Sequence, residues 1–123
     1  MSIPVPVDEL GRALADFDLA YLLSAGATGV KVVSVVVEAS GGELVVPTPS
    51  GGTTANIAAD PAVTVLCPPR EPGGYSLIVD GTATSRGEGF AIAPTRAVLH
   101  RPAADPAASA EGDGCGQDCV PLT

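Results

Sequence analysis

The residues best suited to chemistry lie in one loop, "PSGGTTAN", at residues 49–56. Glycines let a backbone approach an anion closely, and the free N–H groups at a helix start point towards such a ligand. Threonine hydroxyls can donate hydrogen bonds as well. The candidate anion-binding residues are Ser50, Gly51, Gly52, Thr53 and Thr54. Because the loop has no lysine or arginine, two interpretations stay open: a phosphate-binding loop without its own cation, or a turn into a capped helix.

The other reactive side chains give weaker signals. His100 is the only histidine, and a lone histidine at a predicted strand end is typical of a surface or interface group. Cys115 and Cys119 form a C-x3-C pair, for which a zinc site, a disulfide and free thiols are alternatives. Cys67 follows an apolar run and is predicted to lie in the core. No metal site is predicted, and no catalytic residue is identified.

Composition excludes several classes of function. The formal net charge is −8, which argues against nucleic acid and anionic membrane surfaces as partners, because both require a cationic footprint. There is no apolar run long enough to span a membrane, and the N-terminal residues lack the pattern of a secretory signal. We therefore expect a cytoplasmic protein. Hydrophobic residues make up 46% of the chain but aromatic residues only 3%, so the core must consist of aliphatic side chains.

The pattern of apolar residues predicts the elements that position the loop. An amphipathic helix is expected over residues 7–16, and a short second helix after the loop, capped by Thr53 or Thr54 and ended by Asp60-Pro61. Gly81 indicates a bulge in one strand, and Pro94 an interruption or an edge position in the last strand. The predicted strands cover residues 18–25, 30–39, 43–47, 62–68, 75–85 and 90–100.

These elements predict a mainly β fold, a six-stranded antiparallel barrel with two short helices. Short turns between successive strands favour antiparallel pairing, and a sheet that is apolar on both faces must close on itself or be covered. A β-sandwich is the alternative. We expect residues 1–100 to form one domain and residues 101–123 an extended, acidic tail that is rich in Ala, Pro and Gly and contains the cysteine pair.

Two segments resemble the pyridoxamine 5′-phosphate oxidase-like family, the flavin-binding split β-barrels. They are "ANIAADPAVTVL" at residues 55–66 and "LIVDGTAT" at residues 77–84, and the resemblance extends over residues 17–100. The length and the Ala-, Gly- and Val-rich composition look most like the actinobacterial members, several of which use the deazaflavin F420 in place of FMN.

The resemblance implies a homodimer with a cofactor site in each groove between subunits. It implies that the cofactor phosphate lies at residues 50–54 and that the ring system lies along the strand at residues 32–36. From this strand, the predicted cofactor-binding residues are Lys31, Val33 and Ser34. The implied activity is an oxidoreductase that uses F420 or FMN to transfer a hydride to a small organic substrate.

The chain departs from the family pattern at the phosphate loop. Members that bind FMN or F420 generally place an Arg or Lys near this loop, whereas the chain has Thr54 and Ala55. Loss of a charge-assisted contact costs on the order of 1.5–3 kcal/mol. Lys31 and Arg70 are candidates to replace that cation from nearby strands or from a partner subunit. The alternative function is a non-catalytic dimer that binds another small ligand or no cofactor.

Overall fold

The valine-rich segments pair into one continuous antiparallel sheet in the computed structural model, which describes residues 2–47 and 51–102. The strands are β1 (Ser2–Pro4), β2 (Ala20–Gly26), β3 (Gly29–Val35), β4 (Glu38–Ser40), β5 (Glu43–Val46), β6 (Ala62–Cys67), β7 (Ser76–Arg86) and β8 (Gly89–His100). The helices are α1 (Leu10–Leu14), which follows a 3₁₀ turn at Val7–Glu9, and α2 (Gly51–Ala59). None of these helices is both long enough and apolar enough to cross a membrane.

The order of the strands makes the sheet a split barrel. Hydrogen-bonded neighbours run β3-β2-β6-β7-β8-β5-β4, and β1 pairs with β8. The two ends of this path, β3 and β4, are consecutive in sequence, so the sheet curls round until its edges are adjacent. The predicted class, a mainly β antiparallel split barrel with two short helices, is therefore confirmed.

Side chains that point into the barrel form a single aliphatic core. Alternate residues along β2, β5, β6 and β7 point inwards, as the two-residue period of a strand requires. The best buried large side chains, each less than 2% exposed, include Leu22, Leu44, Val46, Val65, Leu77, Val79, and Ile92. Cys67 is 1% exposed and packs among them, which confirms its predicted place in the core.

The bulge predicted at Gly81 is present, and the reason is steric. Asp80 pairs with Arg96 but Gly81 pairs with Pro94, so Thr95 is the extra residue on β8. A Cβ atom at position 81 would lie 2.6 Å from the carbonyl oxygen of Ala93, closer than any side chain can approach. Pro94 lies between the part of β8 that pairs with β5 and the part that pairs with β1. Its missing N–H therefore removes no ladder hydrogen bond on that edge.

Three details of the predicted elements are wrong. The sheet has eight strands, because β1 and β4, with three residues each, are too short to show a periodicity in the sequence. The predicted strand at residues 30–39 divides into β3 and β4. The segment predicted as one α-helix at residues 7–16 is a 3₁₀ turn followed by five α-helical residues.

The start of α2 also differs from the prediction. The helix begins at Gly51, so Thr53 and Thr54 lie inside its first turn and do not cap it. Helical φ and ψ angles are open to glycine as to any residue, and the two glycines therefore join the helix despite their low propensity. The helix ends at Ala59, immediately before Asp60-Pro61, as predicted. Ser50 and residues 103–123, including Cys115 and Cys119, lie outside the described residues.

Candidate functional site

The first turn of α2 presents backbone N–H groups that have no partner within the helix. The first N–H groups of any α-helix lack an intrahelical acceptor, and together they carry a partial positive charge. At the start of α2 these positions include Gly51 and Gly52. Gly51 and Gly52 are exposed, and a Cβ atom at position 51 would meet open space. An anion can therefore approach this turn closely.

Lys31 on β3 lies against the same turn. A Cβ atom at position 52 would be 2.7 Å from Lys31 Cε and 3.2 Å from Nζ, so the lysine side chain occupies the space that glycine leaves. Lys31 shares its face of β3 with Val33, and α2 packs on the inner face of β2 and β3. The structure thus places a cation beside the loop that has none of its own.

This arrangement is electrostatically unfavourable in the isolated chain. A positive side chain near a helix N-terminus loses about 0.3–1 kcal/mol, because it faces the positive end of the helix dipole. The first turn of α2 has no acidic residue, and within residues 2–47 and 51–102 no carboxylate forms an ion pair with Lys31. The ammonium group and the N–H groups of α2 are therefore well arranged to bind one anion between them.

The two threonines of the loop have different environments. Thr53 is 1% exposed, so it packs beneath the helix and is not accessible from the surface. Thr54 is exposed. Of the two predicted hydroxyl donors, only Thr54 therefore lies on the accessible side of the helix.

Val33 and Ser34 lie on opposite faces of β3. Val33 is partly buried and packs against the core, whereas Ser34 is exposed and pairs with Tyr21. A ligand that contacts both Lys31 and Ser34 must pass round the open edge of β3. The structure therefore brings Lys31 to the loop but does not bring Ser34 there.

Arg70, the other candidate cation, contacts a different region of its own chain. Its Nε donates to Asp18 Oδ1 at 3.0 Å and its Nη2 to the carbonyl oxygen of Ala15 at 3.0 Å. Both acceptors belong to the connection between α1 and β2. Of the two candidate cations, Lys31 lies beside the first turn of α2 and Arg70 does not.

Asn56 links α2 to strand β2. Its Nδ2 donates to Ser24 Oγ at 3.2 Å, and Ser24 is 2% exposed on the inner face of β2. The sequence carries one sign of this contact, a serine on the buried face of an otherwise apolar strand. Polar groups buried in this way are normally hydrogen-bonded.

A second concave surface lies on the opposite face of the sheet. It is a groove of about 410 Å³ whose lining includes Leu23, Val30, Thr64, Asp80 and Thr82. Thr64 Oγ1 donates to Asp80 Oδ1 at 2.7 Å, and Arg96 Nη1 lies 3.9 Å from Asp80 Oδ2. The groove is mainly aliphatic with one polar cluster, and sequence reasoning missed it because its residues come from five strands.

Among the described residues, His100 and Cys67 do not join either site. His100 is exposed and its Nδ1 lies 3.1 Å from Ser2 Oγ, which agrees with the predicted surface position. Burial raises the pKa of Cys67 to about 11, so this thiol stays protonated and unreactive at neutral pH. In the part of the chain that the structure describes, no group of His, Cys, Asp and Glu side chains could hold a metal ion.

The fold is that of two FAD-binding proteins of known structure. One, from Mesorhizobium loti, superposes with a TM-score of 0.65, covers 80% of this chain and 95% of its own, and is 16% identical. The other, from Mycobacterium smegmatis, has a TM-score of 0.60, covers 82% of this chain and 100% of its own, and is 17% identical. At these identities the likeness establishes the split-barrel fold.

Sequence similarity defines the family more closely. Uncharacterised proteins of Mycobacterium bovis and Mycobacterium tuberculosis are each 37% identical to the chain, over 94% of its length and 93% of theirs. The chain therefore belongs to the same family as these mycobacterial proteins. No family model matches the sequence.

Proposed function

We propose that the protein binds a flavin or deazaflavin cofactor whose phosphate lies between Lys31 and the first turn of α2. The observation that carries this proposal is the position of Lys31 Nζ, 3.2 Å from where a Cβ atom of Gly52 would be. Backbone N–H groups and a lysine ammonium are the donors that phosphate groups prefer. A bound phosphate would also remove the repulsion between Lys31 and the helix dipole.

Two further observations favour a flavin over other phosphate-containing ligands. The segments at residues 55–66 and 77–84 resemble the pyridoxamine 5′-phosphate oxidase-like family, and the two solved structures with the same fold bind FAD. The fold alone does not define a ligand, so the assignment depends on the lysine and the glycines together. FMN, F420 and FAD all offer a phosphate to this site.

The proposed activity is hydride transfer between the cofactor and a small organic substrate. When bound, the cofactor supplies the redox chemistry, and the protein supplies binding, orientation and shelter from water. Lys31 and the N–H groups of Gly51 and Gly52 would hold the phosphate end. Val33, which shares its face of β3 with Lys31, would lie along the ring system.

We further propose that the protein is a homodimer. On the outer face of β3 and just beyond it, Val30, Val32 and Val36 are 66%, 56% and 69% exposed in the single chain. Three large aliphatic side chains beside the apolar groove form a patch of the kind that marks an interaction surface. A second copy on this face would cover the exposed valines and the groove beside them. The dimer should be visible by analytical ultracentrifugation, and Val32→Asp should shift it towards monomer.

The first experiment is a set of fluorescence titrations of the purified protein with FMN, FAD and F420. We expect micromolar or tighter binding of at least one of them. Lys31→Met should weaken that binding about ten- to hundredfold, because it removes a charge-assisted contact. The melting temperature of the ligand-free protein should stay equal or rise, since the same change removes the repulsion from α2.

Arg12→Met is the matched control, because it removes one positive charge from an exposed position on α1. It should leave the affinity unchanged. Failure of the wild-type protein to bind any of the three cofactors would overturn the proposal and favour a split-barrel protein with another ligand or none. Equal losses in Lys31→Met and Arg12→Met would mean that only the net charge matters.

A pair of glycine variants tests the geometry of the same site. In Gly52→Ala the new Cβ would lie 2.7 Å from Lys31 Cε, whereas in Gly51→Ala it would lie in open space. Both changes raise helix propensity by about 0.5–1 kcal/mol. We therefore expect both variants to fold and only Gly52→Ala, which displaces the lysine, to weaken cofactor binding.

A further inference from the structure

The contact between Asn56 and Ser24 is paired with a close approach of the helix to β2. Asn56 lies so near Gly26 that a Cβ atom at position 26 would be 2.8 Å from its Cγ and nearer still to Oδ1. Gly26 does not have a positive φ, so backbone conformation does not require glycine there. The close packing of the Asn56 side chain on β2 does.

Lys31 and Asn56 are held on one strip of the inner face. Gly52 and Asn56 are four residues apart on α2 and so share one face of the helix. Ser24 and Lys31 are direct cross-strand partners on β2 and β3, so their side chains also share one face. The helix therefore rests on the sheet at two neighbouring polar positions, Gly52 on Lys31 and Asn56 on Ser24.

This double contact determines where the first turn of α2 stands relative to the lysine. Ile57, which is 6% exposed, packs α2 against the hydrophobic core. Such a contact resists separation but allows a short helix to slide or turn. The partly buried hydrogen bond from Asn56 to Ser24 is directional and restrains the rotation of the helix.

We propose that Asn56 is a positioning residue for the anion site. Ser24, which accepts its hydrogen bond, and Gly26, which leaves space for its side chain, serve the same purpose. This inference rests on the proposed function, since the site it serves is the phosphate site of Lys31 and α2. Asn56 does not touch the ligand. It keeps the N–H groups of Gly51 and Gly52 in register with the Lys31 ammonium, and binding sites depend on such support from residues behind them.

The test uses the full chain and ¹⁵N NMR titrations with inorganic phosphate and with FMN. The amide signals of Gly51 and Gly52 report on the site, and the Overhauser effect between Lys31 Hε and Gly52 Hα reports on its geometry without ligand. In Asn56→Ala we expect this effect to weaken and the phosphate and FMN affinities to fall about five- to tenfold. Ser24→Ala should behave in the same way.

Ile57→Val is the matched control on the same helix, because it loosens the packing of α2 but keeps the contact of Asn56. It should lower the melting temperature and leave the two affinities unchanged. Gly26→Ala should weaken binding in the wild-type background and have no additional effect in Asn56→Ala, where there is no amide to displace.

The outcomes separate the inference from the proposed function. If wild-type protein binds neither phosphate nor any of FMN, FAD and F420, the proposed function fails. If the wild type binds and Asn56→Ala binds equally well, the function stands and the positioning role is overturned. If Ile57→Val reduces the affinity as much as Asn56→Ala does, the effect is general loosening of α2 and the specific role of Asn56 is likewise overturned.

Discussion

Strands β3 and β6 have nearly the same composition but opposite environments. On β6, Val63, Val65 and Cys67 are 5%, 0% and 1% exposed, whereas Val30 and Val32 on β3 are 66% and 56% exposed. Strand β6 has a neighbour on each side, β2 and β7, while β3 pairs only with β2. An edge strand keeps unpaired backbone groups and an uncovered face, which native proteins normally protect.

The difference indicates where function is concentrated in this molecule. The inward-facing side chains of the central strands supply stability and are inaccessible to a ligand. The edge strand supplies Lys31 to the helix on one face and aliphatic side chains to solvent on the other. Features that reduce stability in the isolated chain, a cation at a helix start and exposed valines, lie together on β3, as expected of a binding site.

The largest expected effect comes from placing a carboxylate on β6, and the same change on β3 serves as the comparison. Val65→Asp buries a charge in the core and should cost more than about 4 kcal/mol, enough to unfold the chain. Val32→Asp on β3 should leave the fold intact, with a circular dichroism spectrum like that of the wild type. A folded Val65→Asp protein, or an unfolded Val32→Asp monomer, would contradict the assignment of centre and edge.

The pH dependence of stability gives the next effect in size. Burial raises the pKa of Cys67 from 9.0 to about 11, so the folded state favours the neutral thiol. This contribution is complete below pH 9 and is lost as the pH rises towards 11, about 2–3 kcal/mol in total. Urea unfolding between pH 8 and 11 should show this decline.

The control for the alkaline decline is Cys67→Val, which keeps a small apolar side chain on β6. It should lack that component of the pH dependence, while Cys115 and Cys119 remain in both proteins. If wild type and variant lose stability in parallel above pH 9, the decline does not come from Cys67.

A smaller effect is expected on the outer face of β6. Thr64 donates a hydrogen bond to Asp80 at 2.7 Å, and Thr64→Val keeps the shape of the side chain but removes the donor. We expect a loss of about 1 kcal/mol in the free energy of unfolding. An unchanged free energy of unfolding would show that water replaces the hydrogen bond to Asp80. The Thr64–Asp80 pair on the outer face of β6 would then contribute nothing to stability.

The smallest effect is expected for Val30→Thr on β3. An exposed position tolerates a hydroxyl, so the free energy of unfolding of the monomer should change by less than about 0.5 kcal/mol. Urea unfolding at low protein concentration measures this quantity. A loss above 1 kcal/mol under those conditions would mean that Val30 is covered within the single chain, and the contrast between β3 and β6 would disappear.

Much of the fold was predictable because it depends on local rules. The end of α2 before Asp60-Pro61 follows from the geometry of proline, and the bulge at Gly81 from the need for a residue without Cβ. The short strands β1 and β4 were not predictable, since three residues show no period. The predicted cap at Thr53 or Thr54 is wrong because Gly51 and Gly52 adopt helical geometry themselves, despite their low helix propensity. The helix therefore begins before the threonines.

The candidate site was predictable only in part. The glycines of residues 50–54 and the lack of a cation among them are visible in the sequence, and Lys31 was one of two candidates to replace it. Only the paired register of β2 and β3 places Lys31 beside Gly52 and directs Arg70 to Asp18 instead. The contact of Asn56 with Ser24 and Gly26 also joins residues that are about 30 positions apart.

By itself, the sequence determined the class of fold, the aliphatic core and the residues with which an anion could be bound. These properties follow from composition and from periods of two and 3.6 residues. The tertiary structure decided which valine-rich strand lies at the edge and which cation reaches α2. Both outcomes depend on the order of strands in the sheet, which is a long-range property that the residues of one segment cannot encode alone.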